Sequence, residues 1–310
     1  MDAPGIGRPP GSTMSDKKTI AVYGLGNMGY LIAQKLADRF AVAVSDLSAA
    51  QVARAKAELS AMPCTAEVLR TVHAVVMSLP SPAASLAVLR DIAPLLGRGT
   101  VIIETSTINP ADAIEQRNLL AHYGVEHIDA SVLAGVGQMR SGSASLAVGG
   151  ETEVIARVQD VLDAFSARQI HFGAAGAGAA AKVINNAVAH AVMVVVAEAG
   201  SLATAAGVDC GKLIDILSDA QMGIQRPLTH RYAERIRSGD YEGGMPLEAA
   251  RKDSVLALQL AQSFGVPLFA IQASHSVYDM AWAAGYGRQD YAAIARLWFD
   301  WGRPAVPAAR

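Results

Sequence analysis

Residues 19–29 read TIAVYGLGNMG, and this stretch decides the fold. A run of apolar and β-branched residues, typical of a buried strand, leads directly into glycines at positions 24, 26 and 29. Apolar residues then recur at helical spacing, at Leu31, Ile32 and Leu36. A strand, a glycine-rich turn and a helix in this order predict the first unit of a sheet that binds a dinucleotide at the turn.

Each glycine of this turn has a separate physical role in such a unit. Gly24 allows the tight turn, Gly26 lets the backbone come close to a pyrophosphate, and Gly29 lets the helix pack closely on the strand. The free N–H groups at the start of the helix then face the phosphates. The alternative interpretation is a structural glycine-rich turn that binds no nucleotide.

Asp46 indicates which dinucleotide is bound. It ends the second predicted strand, at about the distance after Gly29 where this pattern places an acidic residue. Its carboxylate can accept hydrogen bonds from both ribose hydroxyls and would repel a 2′-phosphate, and residues 46–48 contain no Lys or Arg to offset that repulsion. NAD is therefore predicted, with NADP less favoured. The alternative role for Asp46 is to cap the next helix.

The chain of 310 residues is long enough for two domains. Residues 1–18, rich in Pro, Gly and Ser, are predicted to be a disordered extension, with Met14 a candidate natural start. Residues 19–178 alternate short apolar runs with helical stretches, which predicts an α/β fold of the Rossmann type, a doubly wound parallel sheet. Residues 179–310 are rich in Ala and Leu and predict an all-α C-terminal domain. The predicted strands are Thr19–Tyr23, Ala41–Ser45, Ala74–Ser78, Thr100–Glu104, Val125–Ala130, Ser145–Val148 and Gln169–His171.

Composition excludes several classes of partner. A formal net charge of −2 gives no field that favours nucleic acid, and neither cysteine lies at metal-ligand spacing from a histidine, so no metal site is predicted. The longest apolar stretch, residues 187–199, is shorter than the roughly 20 residues of a membrane span. It is therefore predicted to be a helix buried between the two domains. We expect a cytoplasmic protein that does not enter a membrane.

Six ordered segments of this sequence resemble the β-hydroxyacid dehydrogenase family, which includes 3-hydroxyisobutyrate dehydrogenase within the 6-phosphogluconate dehydrogenase superfamily. They are residues 24–29 (GLGNMG), 78–81 (SLPS), 104–110 (ETSTINP), 129–135 (DASVLAG), 173–186 (GAAGAGAAAKVINN) and 251–253 (RKD). The resemblance implies a helical second domain that commonly pairs into a homodimer or homotetramer. The residues predicted to bind the cofactor are Gly24, Leu25, Gly26, Asn27, Met28, Gly29, Asp46, Leu79, Pro80, Thr107 and Lys252.

Lys182, Asn185 and Asn186 stand at positions i, i+3 and i+4, so on a helix they project from one face. The resemblance makes Lys182 the general acid and base for a hydroxyl proton, Asn186 a catalytic residue that holds the substrate, and Asn185 a substrate neighbour. A free lysine, with a pKa of about 10.4, is a poor base at neutral pH. We therefore expect burial, the positive nicotinamide ring and Lys252 to lower the pKa of Lys182.

The substrate loop departs from the family pattern. Leu133, Ala134 and Gly135 stand where the family usually has Ser-Gly-Gly, and Ser131 stands where it commonly has proline. A serine hydroxyl that contacts the substrate carboxylate is thus missing. The N–H groups of Ala134 and Gly135 can bind an anion instead, and Ser131 can offer a hydroxyl.

The leading hypothesis is an enzyme that transfers a hydride between NAD(P) and a short 3-hydroxy acid, whose product is a semialdehyde, with Lys182 as general acid and base. Two alternatives remain at this point: an imine or ketone reductase that needs no substrate carboxylate, and a non-catalytic NAD-binding sensor. Asn185 argues against the branch that decarboxylates 6-phosphogluconate, which has a histidine at that step after the lysine.

Overall fold

The structure is a computed structural model that describes residues 17–301. It divides into two compact units, one ending at Ala187 and the other beginning at Val188. The sequence predicts the boundary nine residues earlier, after residue 178, whereas the structure divides within a long helix. Of the predicted disordered extension, only Lys17 and Lys18 are described, so residues 1–16 and the candidate start lie outside the described residues.

Eight strands of the first unit form one sheet, in the order β3-β2-β1-β4-β5-β6-β7-β8. The order in which successive strands join the sheet reverses between β1 and β4, which run parallel, as in dinucleotide-binding sheets. The strands are β1 Thr19–Tyr23, β2 Ala41–Ser45, β3 Met62–Pro63, β4 Ala74–Met77, β5 Val101–Glu104, β6 Glu126–Val132, β7 Ser145–Gly149 and β8 Arg168–Gly173.

Helices connect the strands of this unit and make up most of the other. In the first unit they are α1 Asn27–Ala37, α2 Ala49–Leu59, α3 Ala66–Leu69, α4 Pro82–Ile92, α5 Pro110–Ala121, α6 Val136–Ser141, α7 Thr152–Arg157 and α8 Gln159–Phe165. A long helix, α9 Ala177–Ala205, begins in the first unit and continues into the second. The remaining helices are α10 Cys210–Ser218, α11 Leu247–Phe264, α12 Phe269–Ala283 and α13 Arg296–Asp300, with a π-helical segment at Pro227–Ile236.

The sheet is buried on both faces, as the predicted doubly wound fold requires. Alternate residues of β1 enter two different cores: Ile20 packs in the cluster that contains Leu36 of α1, and Ala21 packs in the cluster that contains Leu89 of α4. Strands covered on both sides are apolar at successive positions, which explains why β1, β4 and β5 lack the alternation of a half-exposed strand.

The prediction that the whole sheet is parallel is wrong for its last two strands. β7 pairs with β6 antiparallel, and β8 then pairs with β7 parallel, so these two strands run against β1 to β6. A parallel connection needs a crossover of roughly a dozen or more residues, usually an α-helix. The segment between β6 and β7 contains only the six-residue α6, about 9 Å long.

The second unit is helical, as predicted, and a buried ion pair helps to hold it. Asp290 is fully buried, and its Oδ1 lies 3.1 Å from Nε of Arg231, while Oδ2 lies 3.5 Å from Nε of Arg235. An isolated bridge between Pro246 and Asp290 is the β-type pairing described in this unit. The buried apolar cluster here is small and consists of Leu247, Ala281 and Leu297.

The long helix α9 is more exposed than the sequence suggests. By length and composition alone its 29 residues are apolar enough to cross a membrane. Ile184, Val188 and Met193 are each more than half exposed. The prediction of a buried helix is therefore wrong for the single chain, because its apolar residues are not covered by the described part of this chain.

Candidate active site

The glycine turn after β1 has the geometry that the sequence predicts. Gly24 has a φ of +89°, and a Cβ added there would lie 2.1 Å from the carbonyl oxygen of Ser78. A Cβ added at Gly29 would lie 2.0 Å from the carbonyl oxygen of Gly24. Both positions therefore require glycine for the turn and for the packing of α1 against it.

Gly26 is different, because the space beside it is open. It precedes α1 at the N-cap position, and an added Cβ would meet no atom of residues 17–301 within 4 Å. The glycine is thus not needed for packing within the chain. An open backbone at a helix N-terminus fits the close approach of a cofactor pyrophosphate.

A cavity of about 700 Å³ lies beside this turn at the carboxyl ends of β1, β2 and β4. Most of the predicted cofactor residues line it: Gly24, residues 26–29, Asp46, Leu79 and Pro80. Leu25 is buried, and Thr107 is exposed after the end of β5. The cavity size and the glycine cradle fit part of a dinucleotide.

The carboxylate of Asp46 is held in place by two backbone N–H groups. Leu25 donates to Oδ2 at 2.6 Å, and Ser48 donates to Oδ1 at 2.7 Å. The cap of α2 is Ser48, whose hydroxyl accepts from the N–H of Gln51. The alternative role of Asp46 as the helix cap is therefore taken by Ser48, and Asp46 faces the cavity.

Ser106 supports the segment after β4 that is predicted to bind the cofactor, a role not predicted from the sequence. Its hydroxyl accepts from the N–H of Leu79 at 2.8 Å, and its own N–H donates to Oε1 of Glu104 at 2.9 Å. Thr105 adds a bond from its hydroxyl to the carbonyl of Met77 at 2.6 Å. The segment after β5 thus orients the segment after β4. The polar run ETST at residues 104–107 is the feature of the sequence from which this role could have been predicted.

Glu104 is fully buried, and burial raises its pKa above the ordinary value of 4.5. Its Oε2 has no hydrogen-bond partner among the described residues. The folded protein therefore favours the neutral acid, whereas the unfolded chain ionises above its ordinary pKa. It follows that this group contributes most stability at low pH and that its contribution is lost as the pH rises through the folded pKa.

We expect Glu104→Gln to stabilise the protein at pH 8 and to have little effect near pH 4, because glutamine resembles the neutral acid at every pH. An increase of about 2 °C or more in Tm at pH 8 is the expected size. Thermal denaturation at both pH values measures it, with the exposed Glu115→Gln as control. A Tm that falls at pH 8 would mean that the ionised form of Glu104 stabilises the fold.

Lys182 lies in the second turn of α9 and is half-buried. Burial lowers the pKa of its amine below the ordinary value of 10.5. This is one of the causes that the sequence analysis expected. Asn186, one turn later, is also half-buried, and Asn185 is exposed. A lysine with a lowered pKa can exchange a proton with an alcohol or carbonyl oxygen.

The end of β6 and the loop that follows it, which are predicted to bind the substrate, present few polar groups to a ligand. Ser131 is 1% exposed, and its hydroxyl has no hydrogen-bond partner among the described residues. Leu133 and Ala134 are half-buried. The exposed Gly135 donates its N–H to Oε1 of Gln138 at 3.1 Å, so an anion would have to displace that side chain.

Lys252 lies in α11, in the second unit. Its amine forms an exposed ion pair with Asp253 at 3.0 Å. This geometry is that of an ordinary surface pair. The cofactor role of Lys252 therefore stays a prediction from the resemblance.

Two family models match adjoining parts of the chain. Residues 19–176 match the NAD binding domain of 6-phosphogluconate dehydrogenase. Residues 176–298 match a domain described as NAD-binding of NADP-dependent 3-hydroxyisobutyrate dehydrogenase. Their junction lies in the glycine-rich stretch before α9.

Individual proteins match over nearly the whole chain. The chain is 28% identical to 2-(hydroxymethyl)glutarate dehydrogenase from Eubacterium barkeri over 285 residues, which cover 90% of this chain and 94% of that protein. The structure of 3-hydroxyisobutyrate dehydrogenase from Mycobacterium tuberculosis with L-serine is 27% identical, with a TM-score of 0.64 and coverage of 91% and 99%. An imine reductase from Pseudomonas sp. superposes with a TM-score of 0.81 at 22% identity, over 91% of this chain and 99% of that one, a likeness of fold alone.

Proposed function

Since this chain belongs to the β-hydroxyacid dehydrogenase family of NAD(P)-dependent oxidoreductases, we propose that it interconverts a short 3-hydroxy acid and the corresponding semialdehyde. The observation that carries the proposal is the half-buried Lys182, whose pKa is lowered by burial. Asn186 lies one helical turn further along and completes a polar face for a small substrate.

Lys182 performs the proton transfer of this reaction. A bound nicotinamide would supply the acceptor for the hydride of the alcohol carbon. The neutral amine of Lys182 takes the hydroxyl proton, so that a carbonyl forms as the C–H and O–H bonds break. In the reducing direction the ammonium of Lys182 returns this proton to the carbonyl oxygen, and Asn186 orients that oxygen through its amide.

NAD is the proposed cofactor, because Asp46 faces the cavity where a ribose would bind and is already oriented by two N–H groups. The next residue, Leu47, is fully exposed and uncharged, so it offers a 2′-phosphate no compensating cation. A phosphate beside the Asp46 carboxylate would be repelled.

We expect NAD⁺ to raise the Tm more than NADP⁺ at equal concentration, because the stabilisation grows with RT ln(1 + [L]/Kd). Asp46→Asn should reduce the preference for NAD⁺ by roughly tenfold, about 1.4 kcal/mol. Asp91→Asn is the matched control, since Asp91 also lines the cavity, and it should keep the preference. A larger shift with NADP⁺ for the unaltered protein would contradict the role of Asp46.

The substrate panel tests the proposed reaction. 3-Hydroxyisobutyrate, 2-(hydroxymethyl)glutarate and L-serine are compared with alcohols of the same carbon skeleton that lack the carboxylate, each with NAD⁺. We expect turnover of at least one hydroxy acid and a much lower kcat/KM for its neutral counterpart. Equal rates for both members of every pair would overturn the proposal of a carboxylate-bearing substrate.

Leu133 motivates a second candidate function, an imine or ketone reductase. This residue and Ala134 make the loop after β6 less polar than a carboxylate site requires, and the N–H of Gly135 is already bonded. Lys182 favours carbonyl and alcohol chemistry instead, because its amine can exchange the proton that an alcohol hydroxyl loses or a carbonyl oxygen gains. Reduction of a cyclic imine with NADH, faster than any aldehyde of similar size, would favour this second function.

We also propose that the protein acts as a homo-oligomer, a dimer or tetramer, in the cytoplasm. Exposed apolar side chains continue from α9 through the second unit, among them Val194, Ile214, Leu228 and Phe269. Soluble monomers rarely expose so much apolar surface, so a second copy is the proposed cover. Glu198 lies within α9, and an acidic side chain there makes a membrane a poor alternative to a second copy as the cover of these side chains. Light scattering tests the oligomer by measuring its molar mass.

A further inference from the structure

Asp129 is a buried carboxylate that the proposed proton and hydride transfers do not use. It lies in β6 with no solvent exposure, in register with Glu104 of β5 and Gly149 of β7. A buried carboxylate weakens the fold unless hydrogen bonds satisfy it. The groups that satisfy Asp129 therefore indicate what it does.

Both oxygens of Asp129 bind the start of α9. Oδ1 accepts from the N–H of Gly176 and Oδ2 from the N–H of Ala179, each at 2.7 Å. The carbonyl of Gly176 accepts the first helical bond, from Ala180 at 2.9 Å, so Gly176 occupies the N-cap position. A side chain usually caps a helix from that position, but glycine has none. The carboxylate from β6 replaces it.

The surroundings leave room for this carboxylate and little else. A Cβ added at Gly149 would lie 2.7 Å from its oxygens, and one added at Gly178 would lie 2.8 Å from Oδ2. The Gly178 Cβ would also lie 2.5 Å from the carbonyl of Ala147. The backbones of β7 and α9 thus come together against Asp129 without intervening side chains.

The same helix start also rests on the segment after β5. Ala179 packs with Ile108 and Ala113 in a small buried cluster. A Cβ added at Gly176 would lie 3.0 Å from the carbonyl of Pro110. Asp129 therefore fixes α9 against the segment that carries Thr107, a predicted cofactor neighbour.

Lys182 follows Ala179 by three residues, about 4.5 Å along the helix axis. We propose that Asp129 is a positioning residue for Lys182: its carboxylate anchors the first turn of α9 and thereby holds the amine in its half-buried place. This inference rests on the proposed function, in which Lys182 transfers the proton. Misplacing a reacting group by about 1 Å can cost roughly 100-fold in rate.

Asp129→Asn tests the proposal, since the amide has the same shape but can accept with only one oxygen. The matched control is Glu198→Gln, because Glu198 caps α12 in the same way, through the N–H groups of Ala270 at 2.8 Å and Ile271 at 3.0 Å. Two quantities are measured. The first is the pH dependence of Lys182 acylation by acetic anhydride in the protein without ligand, which mass spectrometry detects. The second is the pH profile of kcat.

We expect the Asn variant to raise the pKa of Lys182, because the exposure of the amine on loosening of the helix start outweighs the loss of one nearby negative charge. The rising limb of kcat for oxidation should move to higher pH with it, and kcat at pH 8 should fall at least about tenfold. The Glu198 control should leave both pH dependences unchanged. A simple loss of folded protein would lower kcat at every pH without moving the limb.

A folded Asn variant with the acylation profile of the unaltered protein would overturn the inference. Acylation does not depend on the reaction, so a shifted profile without any change in kcat would instead count against the proposed function. If the Asn variant does not fold, Gly149→Ala keeps the charge of Asp129 but crowds both its oxygens, at 2.7 Å, and the backbone nitrogen of Gly178 in α9, at 2.8 Å. It should move the acylation profile in the same direction, and an unmoved profile would equally overturn the inference.

Discussion

Lys182→Met is expected to lower kcat for oxidation of the 3-hydroxy acid by about 10²–10⁴-fold, the range for loss of a general base. Methionine keeps the length and apolar stem of the side chain and removes the amine, so the packing of α9 should persist. Affinity for NAD⁺ should stay within about twofold, because the residues proposed to bind it are the glycine turn and Asp46. Steady-state kinetics and a fluorescence titration of NAD(H) measure the two quantities.

The control for this variant is Lys212→Met, at an exposed position of α10. It should retain the kcat of the unaltered protein. Added methylamine should partly restore the rate of Lys182→Met, because a small amine can occupy the space left by the missing group. Undiminished turnover in Lys182→Met for every substrate of the panel would remove the chemical basis of the assigned mechanism.

Gly26→Ala is expected to weaken NAD⁺ binding by at least about tenfold, or 1.4 kcal/mol, while Tm changes little. The added Cβ meets no atom of the described residues within 4 Å, so the expected effect is to obstruct the approach of the proposed pyrophosphate. Gly26 has a φ of −65°, which alanine adopts without strain. Calorimetric titration and thermal denaturation separate the two effects.

Gly29→Ala supplies the contrast. Its Cβ would lie 2.0 Å from a backbone carbonyl, so this variant should lose stability as well as cofactor binding. Equal losses of Tm in Gly26→Ala and Gly29→Ala would show that Gly26, like Gly29, is needed for packing of the protein itself. Unchanged affinity in Gly26→Ala would place the pyrophosphate elsewhere.

Local patterns predicted much of the fold and part of the candidate site. β1 and β2 have the predicted bounds, because buried strands are short apolar runs flanked by turn residues. β3 was missed, because a strand of two residues is too short to show a repeating pattern of apolar and polar residues. The reversed direction of β7 was also missed, because a strand has the same alternation in either direction.

Sequence by itself determined the residue types of the turn, the acidic residue after β2 and the polar face of Lys182 and Asn186, because each depends on neighbours close along the chain. Only the tertiary structure decided that Ser106 orients Leu79 and that Asp129 caps α9. Their partners lie 27 and up to 50 residues away, and hydrogen bonds at such separation leave no local period. The burial that lowers the pKa of Lys182 also depends on how distant segments pack together.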